Sequence, residues 1–198
     1  VNIYSKMLTY DVGDRTIIVV TSGNLATSQA VFKTIEKDVK NNLTEEIVKI
    51  NESFYMIKPI GGVAGNIGVF ISDKGLVLVD DQWEIIEDLI LETINSISKK
   101  DISFIINTHF HYDHVDGNKA FGKKGIPIIS HENVRKRLKR KQRLYGHPQH
   151  NYNMVQDKYP DYALPSTVYN STMKIYVDDE SGHNLLQLYL NNEGIMKK

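Results

Sequence analysis

Residues 67–107 narrow most sharply what this chain can fold into. Residues 67–72 (IGVFIS) and 76–79 (LVLV) are apolar runs of strand length, separated by Asp73-Lys74-Gly75, a composition that favours a tight hairpin. Within residues 82–97, Trp83, Ile86, Ile90, Ile94 and Ile97 recur at helical spacing, so this stretch reads as an amphipathic helix. Ile102–Asn107 (ISFIIN) is again apolar and of strand length. A strand, a helix and a strand in succession imply a parallel pair with a helical crossover, because parallel neighbours need a long return connection. The pattern predicts an α/β fold whose ligand sites gather where strands end at their carboxyl termini.

Around this unit the signals are plainer. Residues 54–57 read as a short strand and residues 60–68 (IGGVAGNIG) as a glycine-rich loop of close backbone approach. Residues 126–130 read as a further strand and 131–144 as a second helix. Upstream, residues 16–20 (TIIVV) suggest a buried strand, and residues 26–39 a helix with Ala30, Val31, Ile35 and Val39 on one face. The chain divides into an N-terminal extension, residues 1–50, and a main domain, residues 51–198, with residues 144–165 as the nearest thing to a linker. The formal net charge is zero, so nothing global steers the chain toward nucleic acid or anionic membrane. No apolar run approaches the ~18 residues of a membrane span. A soluble protein is the expectation, with its compartment undetermined by sequence.

The chemistry is concentrated immediately after Asn107. Residues 108–118 read Thr-His-Phe-His-Tyr-Asp-His-Val-Asp-Gly-Asn, which puts three of the seven histidines, His109, His111 and His114, within six positions and Asp113 between the last two. Neutral imidazole is the commonest metal ligand, and nitrogen with carboxylate oxygen is a mixture that zinc-type ions accept at catalytic sites. Cysteine is absent, so histidine and carboxylate must hold any metal. If the segment is extended, His109, His111 and Asp113 share a direction and His114 points differently. That suits two adjacent metal positions, His109 and His111 on one and Asp113 and His114 on the other. A two-metal site can generate hydroxide near neutral pH and polarise a carbonyl or phosphoryl oxygen. A polar loop of merely solvated histidines is the competing reading, and three imidazoles with a carboxylate at this spacing argue against it.

From Gly61 to about Asp179 the chain resembles the N-terminal half of the metallo-β-lactamase-fold hydrolases, in particular a bacterial subgroup of unassigned substrate. The likeness is carried by the glycine-rich run at 61–68, the hairpin ending Val79-Asp80-Asp81-Gln82, the motif at 108–118 and Ser130-His131-Glu132-Asn133-Val134-Arg135. Ala163-Leu164-Pro165 and the strand at 173–177 add to it. The resemblance implies an αβ/βα sandwich, two mixed sheets face to face with helices outside, of which this chain holds mainly the first β/α half. It also implies a dinuclear Zn2+ hydrolase that attacks an ester, lactone, lactam or related bond of a small-molecule substrate with a metal-bound hydroxide. Carried over by position, His109 and His111 hold the first ion and Asp113 and His114 the second. Asp113 also orients the attacking water, and Asp80 supports a ligand from behind.

Members of that family carry a further histidine in a Gly-His-Thr-like turn, then a bridging aspartate and a final histidine. Gly182-His183-Asn184 is the candidate for that turn, which makes His183 the candidate third ligand, and the two later ligands have no counterpart. The main domain thus reads as C-terminally truncated. The chain is either a zinc hydrolase or a catalytically incomplete relative serving as an interaction module. Loss of the second half would leave apolar sheet surface open to homodimerisation. Residues 135–143 carry seven basic side chains in nine positions, yet lack interleaved aromatics, so they read as a solvated helix face and give no strong nucleic-acid signal. Trp83 reads as core, and His131 as the start of a helix. His147 and His150 read as incidental loop residues.

Overall fold

A computed structural model describes residues 5–12, 15–22, 24–145, 153–177 and 185–189, with side chains from Phe32 to Gln142 and from Val155 to Val177. His147, His150 and the candidate ligand His183 lie outside the described residues. Strands β1 (Ser5–Val12) and β2 (Arg15–Ser22) pair antiparallel and lead into helix α1 (Asn24–Asn42). Next, β3 (Thr44–Lys49), β4 (Phe54–Ile60), β5 (Ile67–Ser72) and β6 (Gly75–Val79) form an antiparallel meander. Helix α2 (Glu87–Ile97) crosses over to β7 (Ile102–Asn107), which pairs parallel with β6. Two short helices, α3 (Tyr112–Val115) and α4 (Asn118–Lys123), precede β8 (Ile128–His131), and α5 (Glu132–Leu138) follows it. Beyond are the antiparallel pair β9 (Gln142–Tyr145) and β10 (Asn153–Gln156), β11 (Thr167–Tyr169), and β12 (Thr172–Tyr176) paired with β13 (Leu185–Tyr189).

Seven strands make one mixed sheet in the order β11-β8-β7-β6-β5-β4-β3, with the parallel strands on the β11 side. The hairpin and the crossover stand where the sequence places them. Gly75 closes the hairpin at φ 132, and a Cβ there would lie 2.2 Å from Ser103 Oγ, so the turn requires glycine. Thr44–Lys49, placed by sequence in the extension, is the edge strand of this sheet, because its pairing partner β4 lies just beyond the turn at 50–53.

Burial follows the two-residue alternation of the strands. Leu76, Leu78, Ile105 and Ile128 point to one face, where Ile35 and Val39 of α1, Ile90 and Ile94 of α2, Phe121 of α4 and Leu138 of α5 cover them. Val77, Ile106 and Ile129 point to the other face and join Tyr169, Val177, Met173 and Ile175. Each fully buried aliphatic side chain contributes about 1.5–3 kcal/mol. Trp83 is fully buried, and its Nε1–H donates to the Val63 carbonyl at 2.6 Å, so it is core as expected.

Two helices differ from expectation. Residues 82 and 83 are not helical, because Gln82 sits at φ 54 and Trp83 is extended; a 3₁₀ turn, Glu84–Ile86, comes first and α2 starts at Glu87. The second helix ends at Leu138 rather than 144. Gln142 Nε2 donates to the Arg137 carbonyl near the helix end, and residues 142–145 pair with β10 instead. His131 starts that helix as expected, its Nδ1 accepting the Asn133 N–H at 3.2 Å. The expected linker is partly regular, holding β10 and a 3₁₀ turn at Asp161–Ala163.

Candidate metal centre

The loop after β7 is pinned at both ends. Buried Asn107 and Asn118 exchange two hydrogen bonds, Asn107 Nδ2 to Asn118 Oδ1 at 3.1 Å and Asn118 Nδ2 to Asn107 Oδ1 at 2.9 Å. Between them the chain bends at 108–110, is extended at His111 and turns helical at Tyr112. The strand-like alternation therefore does not reach Asp113. Tyr112 and Val115 go into the core, and Asp113 and His114 are left at the rim. Buried Gln156 holds the middle of the loop by donating to the Phe110 carbonyl at 2.8 Å, and the Arg137 guanidinium lies 4.4 Å over the Phe110 ring.

The fold brings the four residues singled out by sequence to one place. The His109 ring centroid lies 4.8 Å from that of His111 and 4.1 Å from that of His114, and Asp113 Oδ2 is 3.6 Å from His114 Nε2. Behind them stands Asp80, at φ 63 on the end of β6. Its Oδ1 accepts the Thr108 N–H at 2.8 Å; its Oδ2 accepts the Thr108 hydroxyl at 2.6 Å and His114 Nδ1–H at 2.8 Å. Thr108 Oγ1 also lies 3.0 Å from His109 Nδ1. The hydroxyl proton is committed to Asp80, so His109 Nδ1 must be the donor in that pair. One carboxylate thus fixes both rings as Nδ1–H tautomers, which leaves the Nε2 lone pair of His109 and of His114 for other work.

The electrostatics separate the three imidazoles. Burial pushes His109 down to about 3, helped by His114 and His111, so this ring is neutral wherever the protein is folded. Burial likewise lowers His111; Asp113 opposes this, while His114 and Arg137 add to it. His114 is also pulled down by burial, yet its hydrogen bond to Asp80, the Asp80 charge and Asp113 outweigh that, and it ends above its ordinary value.

Several supporting residues carry no motif. Gly65 is backed against the His114 ring: a Cβ there would lie 2.4 Å from Cε1 and 2.6 Å from Nδ1. Its N–H donates to the Asp113 carbonyl at 3.0 Å, and its own carbonyl accepts Gln82 Nε2 at 2.8 Å. The Asp81 N–H donates to the His114 carbonyl at 2.9 Å. The glycine-rich composition of residues 60–68 is the sequence signal for this backing; Thr108 and Gln82 stand inside family-like segments, but the sequence assigns neither a role. The basic run after β8 is tied into local structure: Arg135 donates to the Pro165 carbonyl, Lys136 pairs with Glu132 at 2.9 Å and Lys141 with Asp157 at 3.0 Å.

Ligand atoms of Asp80, His109 and His114 lie within 4.8 Å of one another, with His111 and Asp113 beside them. Imidazoles pre-oriented beside carboxylates, His109 held neutral by burial, fit a zinc-type ion. A mixed α/β sheet thus carries a possible metal site at the end of its parallel strand. Residues 60–187 match the metallo-beta-lactamase superfamily, and the chain belongs to that family. Over 107 residues it is 33% identical to a metallo-beta-lactamase type 2 of Bacillus cereus, a match covering 50% of this chain and 41% of that protein. Its fold is similar to that of a B3 metallo-beta-lactamase with an active-site glutamic acid, at a TM-score of 0.54 and 20% identity, over 74% of this chain and 53% of the other. It is also similar to a subclass B3 metallo-beta-lactamase of Bradyrhizobium japonicum, at 0.51 and 19% identity, over 71% and 51%. The chain spans roughly half the length of these proteins or less. Among the described residues, no helix is long and apolar enough to cross a membrane.

Proposed function

We propose that this chain supplies the strand-end ligands of a dinuclear zinc hydrolase site, His109 and His111 holding one ion and Asp113 and His114 the other. The carrying observation is the Asp80 network, because it presets two imidazoles in the tautomer that offers Nε2 outward. Bound there, zinc would supply a nucleophile at neutral pH and polarise the bond under attack. His109, held neutral by burial, needs no deprotonation before it can donate its lone pair. Asp80 keeps His114 oriented and balances positive charge beside it. Asp113, a quarter exposed at the rim, would also orient the attacking water. The substrate class is a small molecule with an ester, lactone, lactam or related bond. The likeness to named β-lactamases supports the lactam member of that set.

One observation favours a second reading, a catalytically incomplete relative. Zinc catalytic sites normally use three protein ligands per ion, and the described residues offer two. Metal analysis and turnover separate the two readings. The hydrolase reading expects about two zinc ions per 198-residue chain, loss of one in His109→Ala, and hydrolysis of at least one lactam, lactone or thioester. A chain that takes up no zinc and turns over none of these substrates would leave only the second.

A further inference from the structure

Three consecutive residues after β6 grip the half of the site made by Asp113 and His114. Asp80 does so by its carboxylate on His114 Nδ1, and Asp81 by its N–H on the His114 carbonyl. Gln82 does not touch either residue. Its carboxamide donates to the Gly65 carbonyl, while the Gly65 N–H donates to the Asp113 carbonyl, and a Cβ on Gly65 would run into the His114 ring. Gln82 also accepts the Gly117 N–H on its own carbonyl at 3.0 Å, which ties the far end of α3 to the same turn.

The backbone at this position makes the choice of residue informative. Gln82 is fully buried and sits at φ 54, a conformation in which glycine is favoured and other side chains are strained by about 1–2 kcal/mol. If the turn alone were needed, glycine would serve. The side chain instead spans from the turn to the glycine-rich loop, where its amide donates to the Gly65 carbonyl and also interacts with the Glu45 carboxyl.

We propose that Gln82 is a positioning residue for Asp113 and His114, acting through Gly65; this rests on the reading that those two side chains are metal ligands. The clamp has one consequence for the site: it fixes where the Asp113 and His114 pair stands relative to His109 and His111, whose own supports are Thr108 and the loop carbonyl held by Gln156. Removing the clamp should loosen one half of the site and spare the other.

Two variants test this, Gln82→Met and Gln82→Glu. Both keep the side-chain length; the first removes the donor outright, and the second keeps the planar end and can donate to the Gly65 carbonyl only when its carboxyl is protonated. In the metal-free protein, long-range nitrogen–proton spectra of the imidazoles and amide hydrogen exchange are read first. The expected result is shifted and broadened His114 ring signals, exchange of the Gly65 N–H about tenfold faster or more, and an unchanged His111 ring. Zinc titration is read second. One zinc equivalent should lose about 10–100-fold in affinity while the other stays within about twofold. Unchanged Gly65 exchange and His114 signals in both variants would overturn the proposal. So would a parallel loss of both zinc affinities that tracks the drop in thermal midpoint, since that is what a purely structural role gives. If the wild-type chain binds no zinc, the hydrolase reading fails, and the metal-free spectra still decide the role of Gln82.

Discussion

Replacing Gly65 with alanine adds one methyl group at the closest backbone approach in the site. The new Cβ would stand 2.4 Å from His114 Cε1, 2.6 Å from Nδ1 and 2.7 Å from Nε2. Carbon atoms settle at about 3.5–4.0 Å, so the ring must retreat by roughly 1 Å. An unconstrained side chain could swing away at little expense. This ring is held by a 2.8 Å hydrogen bond to Asp80, and a shift of that size spoils its length or its angle. A hydrogen bond to a charged partner contributes about 1.5–3 kcal/mol. Alanine recovers about 0.4–1 kcal/mol by narrowing the unfolded ensemble. The expected net effect is a loss of about 1–2 kcal/mol in the metal-free protein, with zinc affinity lowered about 10–100-fold. Urea unfolding gives the first quantity and calorimetric titration the second. A Gly65→Ala protein at least as stable as the parent, with zinc affinity within about twofold, would refute the idea that the glycine exists to seat the imidazole.

Three further outcomes follow from the same contacts. Thr108→Val keeps the shape but deletes the hydroxyl that links His109 to Asp80, so zinc affinity should fall about tenfold while the fold persists; an unchanged affinity would remove the relay from the argument. Asp81 is fully buried, and burial, Asp80 and Asp116 push it well above its ordinary value of 3.8 against the pull of the Asn118 and Gly117 backbone N–H groups. Because its folded pKa is raised, its destabilising effect grows as pH climbs above the unfolded value, so Asp81→Asn should raise the thermal midpoint more at about pH 8 than at about pH 4; a uniform shift would count against this. His114 is raised and His109 sits near 3, so zinc uptake at about pH 6 should release about one histidine proton, from His114, and affinity should weaken as pH falls through the His114 pKa. Calorimetry in buffers of different ionisation enthalpy counts that proton, and release of none or of two would contradict the assignment.

The amino-acid sequence alone determined the elements with one dominant face and the residues with one dominant chemistry. The hairpin at Gly75, the crossover helix with Ile90 and Ile94 inward, the strand before the motif and the grouping of His109, His111, Asp113 and His114 were all legible, because periodicity and ligand spacing are local properties of the chain. Tertiary structure decided what acts across distance. Asp80 and Thr108 are far apart in sequence and meet only because β6 and β7 pair in parallel with their ends level. The glycine-rich run signals close approach around Gly65, but which ring it meets, and how Gln82 reaches it, are set by loop packing. The helical turn at Tyr112, which carries Asp113 and His114 out of the strand alternation, formed where Tyr112 and Val115 could be buried. That last choice belongs to the core, whose shape exists only after the chain has folded.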